Sequence, residues 1–308
     1  VSVYGAPREQ AQAAVSAVLA RFDELHRMLH AWQPSELSRL NTGLAQGQRV
    51  TVTPELAAML RDAQALSIQS GDLFNPAIGE LIALWGFHAD TPQARVPDAA
   101  AIARRVRAAP RMGDLQFEDN TVWSRNPAVQ LDLGGYAKGR ALDEAVDILK
   151  ARGIHHALVN IGGNVMALGT RGDRPWRVGI QHPRTPEPLA LLELWDGEVI
   201  GTSGDYQRYF ELEGHRYCHI LDPRSGRPAV GTQAVTVLVT PRPAAGTLSD
   251  VASKPIFIAG PGAWRESAHK LGIDHALRID ASGSISVTRA LAGRLQFGEG
   301  VAPSEIVD

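Results

Sequence analysis

The residues most able to do chemistry surround Lys138, in the run Val129-Gln130-Leu131-Asp132-Leu133-Gly134-Gly135-Tyr136-Ala137-Lys138-Gly139-Arg140. An apolar, strand-like stretch breaks there at paired glycines and enters an amphipathic helix. Glycines let an anion approach the backbone, first-turn N–H groups carry partial positive charge, and an ammonium adds a full one, so the chemistry on offer is phosphate binding. An ordinary strand-to-helix turn with a solvated lysine would read the same way. Further along, Asn160-Ile161-Gly162-Gly163-Asn164 offers backbone N–H groups and amides, or simply a strand-end turn needing positive φ. Thr202-Ser203-Gly204-Asp205-Tyr206 joins Cys218 to Pro228, where His219, Asp222 and Arg224 follow a strand into a Pro/Gly turn. Those side chains suit acid–base work, although a His–Asp pair that locks a turn needs the same residues. In Thr247 to Pro255, Ser249 is a candidate N-cap. Asp250 is then either a first-turn partner of the helix dipole or a hard oxygen ligand for Mg2+, which takes one or two carboxylates together with substrate phosphates.

These residues need elements to hold them. Ala141, Leu142, Ala145, Val146, Ile148 and Leu149 recur at helical spacing after the first glycine pair, opposite Arg140, Asp143, Glu144, Asp147 and Lys150. A long surface helix is expected from Pro7 to about His30, and a structured loop from Trp32 to Asn41. Trp32 suits stacking on a planar ligand or packing in the core. Thr53-Pro54-Glu55 opens a helix ending near Ser70-Gly71; a buried helix follows over Ile78 to Phe87 and another over Ala99 to Ala109. Strands are expected at Leu115–Phe117, Thr121–Trp123 and Ala157–Ile161. Antiparallel hairpins are then expected from Trp176–Gln181, Leu189–Leu194, Val199–Thr202, Gln207–Leu212 and Arg216–Leu221, turning at Gly204-Asp205 and Glu213-Gly214. Gln233–Val239 is a last strong strand. Helices near Leu248–Ala259 and Ala263–Leu271 and two weak strands complete the chain.

The 308 residues, 44% hydrophobic, suffice for a substantial core. Lysines and arginines number 31 against 33 acidic residues, a net charge of -2, so no global basic field recruits nucleic acid or anionic membrane and any phosphate site must be local. The single Cys218 excludes an intramolecular disulfide framework and a cysteine-based zinc cluster. There is no GxxxxGK[ST], GxGxxG or GxSxG, which argues against a P-loop, a dinucleotide fold and a hydrolase elbow. The start at Val1 is the one expected of a trimmed or mature form whose leader has gone, and membrane association is expected only through such a leader.

Taken in order, these clusters resemble the ApbE-type FAD:protein FMN transferases, formerly described as thiamine-biosynthesis lipoproteins. The resemblance spans nearly the whole chain: Ser35-Glu36-Leu37-Ser38-Arg39-Leu40-Asn41, Leu84-Trp85-Gly86-Phe87, Asp132 to Gly139, Asn160 to Gly163, Thr202 to Tyr206 and His219 to Gly226. It implies an α+β fold of the duplicated tunnelling-fold type, with mixed and antiparallel sheets, packed helices and a flavin cleft between the halves, formed by residues 1–308 as a single domain. It also implies a Mg2+-dependent reaction in which FMN passes from FAD to a Thr or Ser hydroxyl of an exported acceptor protein carrying a flavinylation motif, and AMP leaves. A periplasmic location follows from the resemblance alone. Within the same fold, a flavin-binding protein without transfer and an FAD pyrophosphatase giving FMN and AMP are the alternatives.

The resemblance places a backbone-carbonyl metal ligand at Ala137 and a carboxylate ligand at Asp250. It puts flavin and pyrophosphate contacts at Gly134, Lys138, Arg140, Ile220 and the turn Leu73-Phe74-Asn75, with Trp32 standing where the family usually has Tyr. His219 and Asp222 take acid–base and orienting roles. Two departures bear on the metal. The family's motif runs Asp, three residues, then Thr or Ser, but here Lys254 stands at the last position, and an ammonium cannot ligate Mg2+. Either Ser253 substitutes through a shifted turn, or Lys254 replaces the metal's charge, or the protein mainly binds flavin. Asn75 stands where members usually have Asp, which again lowers the local negative charge.

Overall fold

The strand Thr232–Val239 is β-branched or apolar at most positions and buried along its whole length, the pattern of a strand inside a sheet rather than at its edge. The computed structural model, which describes residues 1–89 and 91–308, places it in an eight-stranded sheet within an α+β fold. Across that sheet run Ser2–Val3, Ala157–Ile161, Asn164–Leu168, Val199–Gly204, Thr232–Val239, His275–Asp280, Ile285–Thr288 and Glu305–Val307. Neighbours are antiparallel except the final pair, which is parallel. The helices are α1 (Arg8–Leu29), α2 (Glu36–Ala45), α3 (Pro54–Gln69), α4 (Gly79–Leu84), α5 (Ala99–Ala108), α6 (Ala137–Ala151), α7 (Ala245–Lys270) and α8 (Arg289–Ala292). Among the described residues, no helix is long and apolar enough to cross a membrane.

Backbone contacts divide the chain into two compact units. The first takes Val1–Leu25, Tyr136–Gly204 and Gly231–Asp308; the second takes His26–Gly135 and Asp205–Val230. In the first, α7 packs along the main sheet, α6 lies against α7, and a smaller sheet joins Trp176–Gln181, Pro188–Leu194 and Leu295–Phe297. The second holds α2 to α5 and three small sheets around an aromatic core of Trp85, Phe87 and Phe210 with Ile78, Leu81, Ile102 and Leu221. Trp85 Nε1 donates to the Gly226 carbonyl at 2.8 Å, so the indole fixes the Pro/Gly turn that follows His219.

Several elements differ from their expectation. The loop expected from Trp32 to Asn41 is largely α2: Ser35 caps it, accepting from Ser38 N at 2.8 Å while its own N–H donates to Ser38 Oγ at 2.9 Å. A box built from two serines lacks the Glu or Gln that usually marks one. The strand-like run Val129–Leu133 does bury alternate residues, Val129, Leu131 and Leu133, but forms no ladder. Its backbone is tied instead to Pro76–Gly79 and to the side chain of Asn41, which exchanges two hydrogen bonds with Leu131. Val199–Gly204 makes no hairpin with the strand after it; it pairs with Thr232–Val239 and Asn164–Leu168, as its nearly complete burial requires. The helix pair expected near the C-terminal end is α7, interrupted where Gly260 takes φ 68°. The two weak strands expected beyond it are four: His275–Asp280 and Ile285–Thr288, then Leu295–Phe297 and Glu305–Val307.

Candidate functional site

Two glycines bring α6 and α7 into backbone contact. A Cβ on Gly139 would lie 2.3 Å from the Gly246 carbonyl oxygen and 2.8 Å from Asp250 Cβ, and one on Gly246 would lie 2.6 Å from the Gly139 carbonyl oxygen. Neither approach leaves room for a side chain. Asp143 of α6 closes the start of α7 in place of a local cap, accepting from Gly246 N at 2.7 Å and from Thr247 N at 2.9 Å. Burial raises the Asp143 carboxyl, and these hydrogen bonds only partly offset it. Because α7 begins at Ala245, Asp250 lies beyond its first turn, and the expected Ser249 cap is instead a hydroxyl donating to the Gly246 carbonyl at 2.8 Å.

The close approach carries Asp250 to the start of α6. Its side chain is 2% exposed, and three donors face its carboxylate oxygens. Gly139 N donates to Oδ2 at 3.0 Å; Lys254 Nζ, one helical turn on, reaches Oδ1 at 2.7 Å and the Asp250 carbonyl at 2.6 Å; Lys138 Nζ stands 3.7 Å from Oδ1. Burial alone would raise the Asp250 carboxyl, but Lys254 and Lys138 outweigh it and hold it below the ordinary carboxylate range. Burial likewise draws Lys254 down, opposed by Asp250. The Asn164 amide adds to the lowering at Asp250, while its buried Nδ2 has no acceptor in hydrogen-bond geometry. Lys138 itself runs beside Gly162, whose added Cβ would sit 3.6 Å from the lysine Cδ. Gly162 and Gly163 have φ 56° and 91° and make the two-residue turn between Ala157–Ile161 and Asn164–Leu168, the strand-end reading of that motif. The cluster therefore holds two ammonium groups against one carboxylate, a local positive excess suited to an anion.

A divalent ion does not fit these donors as they stand. The Asp250 oxygens are spent on Lys254, Lys138 and Gly139. Ser253, which a shifted turn would have offered, bonds to Ser203 Oγ at 2.7 Å and donates to the Asp250 carbonyl at 3.0 Å. Ala137 opens α6, and no group of three or more His, Cys, Asp or Glu side chains able to hold a metal exists among the described residues. Arg140 pairs with Glu144 at 2.6 Å, and Glu144 also takes Arg21 at 2.6 Å, so one carboxylate is shared between two guanidiniums.

The remaining expected residues belong to the second unit. Trp32 is half-buried: its Nε1 donates to Asp132 Oδ2 at 3.2 Å and its ring lies 5.5 Å from that of His88. Asp132 Oδ1 accepts from the exposed Gly134 N at 2.8 Å. Leu73 is half-buried and Phe74 buried; Asn75 is absorbed locally, donating to the Pro110 carbonyl at 2.9 Å and accepting from Ala77 N at 3.1 Å. His219 Nδ1 lies 3.1 Å from the Arg208 carbonyl, which assigns the proton to Nδ1 and the lone pair to Nε2 in the neutral ring. Buried Ile220 accepts through its carbonyl from Ala229 N at 2.8 Å. Asp222 is gripped by Arg224, whose Nε and Nη2 reach its oxygens at 2.9 and 2.8 Å.

Sequence reasoning missed Asp143, which reads as one more charge on a polar helix face, and it named Asn164 as an amide of the second glycine motif without placing it beside Asp250. The ApbE family matches residues 1–277. An FAD:protein FMN transferase of Rhodobacter capsulatus is 44% identical over 306 residues, which is 99% of this chain and 58% of that protein. One from Treponema pallidum is 33% identical over 82% of this chain and 73% of its own length. The chain thus spans less than two thirds of the Rhodobacter relative. Among solved structures, the ApbE protein of Thermotoga maritima superposes with a TM-score of 0.84 at 28% identity, covering 92% of this chain and 91% of its own. The apo flavinyl transferase ApbE of Pseudomonas stutzeri gives 0.80 at 30% identity, covering 97% and 93%.

Proposed function

Because this chain belongs to the ApbE family, we propose that it transfers FMN from FAD to a Ser or Thr hydroxyl of an acceptor protein. The observation that carries the reading is its identity of 44% over 99% of its length to a relative of that activity. In the reaction, the acceptor oxygen forms a bond to the FMN phosphorus of FAD, the bond from that phosphorus to the bridging oxygen breaks, and AMP leaves with the bridging oxygen. The hydroxyl proton passes to a base, and His219 is assigned that role, its ring oriented by the Nδ1–H directed at the Arg208 carbonyl. Phosphoryl transfer depends mainly on positioning and charge neutralisation. Lys138 and the first turn of α6 supply both to the pyrophosphate. Trp32, Leu73, Phe74, Asn75, Gly134 and Ile220 are assigned to flavin contacts and Arg140 to the pyrophosphate, while Asp222 is assigned to hold the turn after His219 through Arg224. The family's Mg2+ enters no step, since Asp250 is engaged as described. We place the acceptor in the periplasm, as an exported protein.

Incubation with FAD and an acceptor bearing a Ser or Thr target is expected to yield one flavin per acceptor, fluorescent after denaturing electrophoresis, and one AMP. FMN and AMP formed equally without acceptor would assign a pyrophosphatase instead. FAD returned intact under all conditions would leave a flavin-binding protein.

A further inference from the structure

We propose that the Lys254 ammonium, with Lys138 beside it, takes the place and charge of a divalent cation, so that this protein engages the FAD pyrophosphate without a metal ion. The proposal rests on the flavin reading above and deepens it. Mg2+ requires oxygen ligands at about 2.0–2.1 Å in near-octahedral array. Around Asp250 Oδ1 the structure offers two ammonium groups, at 2.7 and 3.7 Å, and the other carboxylate oxygen holds a backbone N–H. An incoming dication would meet like charge and would have to displace Lys254 from a side chain that is itself 2% exposed.

The same arrangement suits a polyanion. Lys254 has three N–H donors and spends two on Asp250, one on its carbonyl and one on Oδ1, which leaves a third. Its side chain is 17% exposed and that of Lys138 is 37%, against 2% for the Asp250 side chain they share. Asn164 Nδ2, buried and without an acceptor, is a further donor beside the same carboxylate. Asp250 thereby acts as a positioning residue: it holds two cations whose combined charge exceeds its own by one. Ser253 is locked to Ser203 and offers no oxygen in exchange.

The test uses two readouts on the purified chain. Electron paramagnetic resonance of Mn2+ added to the protein alone reports a divalent site without reference to flavin. FAD affinity, followed by flavin fluorescence in EDTA and then in excess Mg2+, reports whether the ion assists. The wild type is expected to leave Mn2+ unbound and to hold FAD within about twofold in the two buffers. Lys254→Thr, which restores an oxygen, is expected to gain an Mn2+ signal, lose about tenfold in FAD affinity in EDTA and recover it in Mg2+. Lys254→Met, which supplies neither charge nor ligand, is expected to lose about tenfold in both buffers. Stoichiometric Mn2+ binding by the wild type, abolished by Asp250→Asn, would overturn the proposal, as would a tenfold gain in wild-type FAD affinity on adding Mg2+. The wild-type arms decide the matter even where a variant fails to fold. Absence of FAD binding in every protein and buffer would sink the flavin reading instead, while the Mn2+ spectra still decide what Lys254 displaces.

Discussion

Asp250 is a buried carboxylate on which two lysines and a backbone N–H converge. Removing one member of a buried charge cluster leaves the others uncompensated, typically at a cost of several kcal/mol. Asp250→Asn is therefore expected to lower the unfolding free energy by about 3 kcal/mol, read by urea denaturation; a change within experimental error would mean that the lysines relax into solvent at no cost. Cys218 is buried as well, its thiol directed at the Ile220 and Ala229 carbonyls at 3.7 and 3.8 Å. Burial pushes its thiol up to about 12, so a thiol reagent at neutral pH is expected to leave it unmodified until denaturant is added. Prompt labelling of the folded protein would contradict that. Residue identities in the sequence pointed to Lys138 and Asp250 separately, through charge type and flanking glycines. Their meeting, and the capture of Lys254 by the same carboxylate, depend on the crossing of two helices remote in sequence, which no local pattern encodes. The reverse holds for Asp222 and Asn75, whose polar atoms looked available in the sequence and are consumed by Arg224 and by their own turn.

At the scale of elements, the contact between α6 and α7 sets the site. Helices this close need glycine where they cross, and the obstacle at Gly139 is backbone on the opposite helix, which cannot swing aside as a side chain would. Gly139→Ala is expected to separate the helices, cost about 2 kcal/mol or more and weaken the Gly139 N–H bond to Asp250. A fall in melting temperature with unchanged far-ultraviolet circular dichroism would report this; an unaltered melting temperature would show that the crossing can yield. The amphipathic stripe of α6 was plain in the sequence, because its buried face repeats at helical period. The start of α7 was not: its first residue is preceded by Ala244 in the left-handed region, and its cap is borrowed from Asp143 on another helix, so the usual Ser, Thr, Asp or Asn signal is missing there. The adjacent Ser249 attracted the boundary instead. Likewise α2 was hidden by a capping box that uses Ser38 where an acidic or amide side chain is customary.

At the scale of the molecule, pH acts through groups whose ionisation is tied to the fold. Burial and the neighbouring Arg294 hold the His275 imidazole below its ordinary value, against the opposing pull of Asp274 and Glu198. A depressed folded value means that the unfolded chain binds this proton more readily. The contribution is thus fully present above the unfolded value near 6.5 and is lost as pH falls through the folded one. The melting temperature is expected to decline as pH drops from about 7 to about 5, less steeply in His275→Gln than in the wild type. Equal slopes would remove His275 from the account. The net charge of -2 leaves any phosphate site to a local cluster, such as the two lysines at Asp250. The order of the large sheet was beyond reach of periodicity, because the pairing of Val199–Gly204 with Thr232–Val239 skips a segment that belongs to the second unit.

That sheet begins at Ser2–Val3 and finishes at Glu305–Val307, so its two outer strands are the first and last strands of the described residues. A polypeptide emerging N-terminus first from a ribosome, or from a translocation pore, must therefore keep Ser2–Val3 waiting for Ala157–Ile161 and expose the flank of Ile285–Thr288 until Glu305–Val307 arrives. The segment His26–Gly135 is in the same position toward Asp205–Val230, the second piece of its own unit. Each unit is therefore completed only once its later segment has been synthesised, and until then the unpaired strand flanks stay open to non-native pairing.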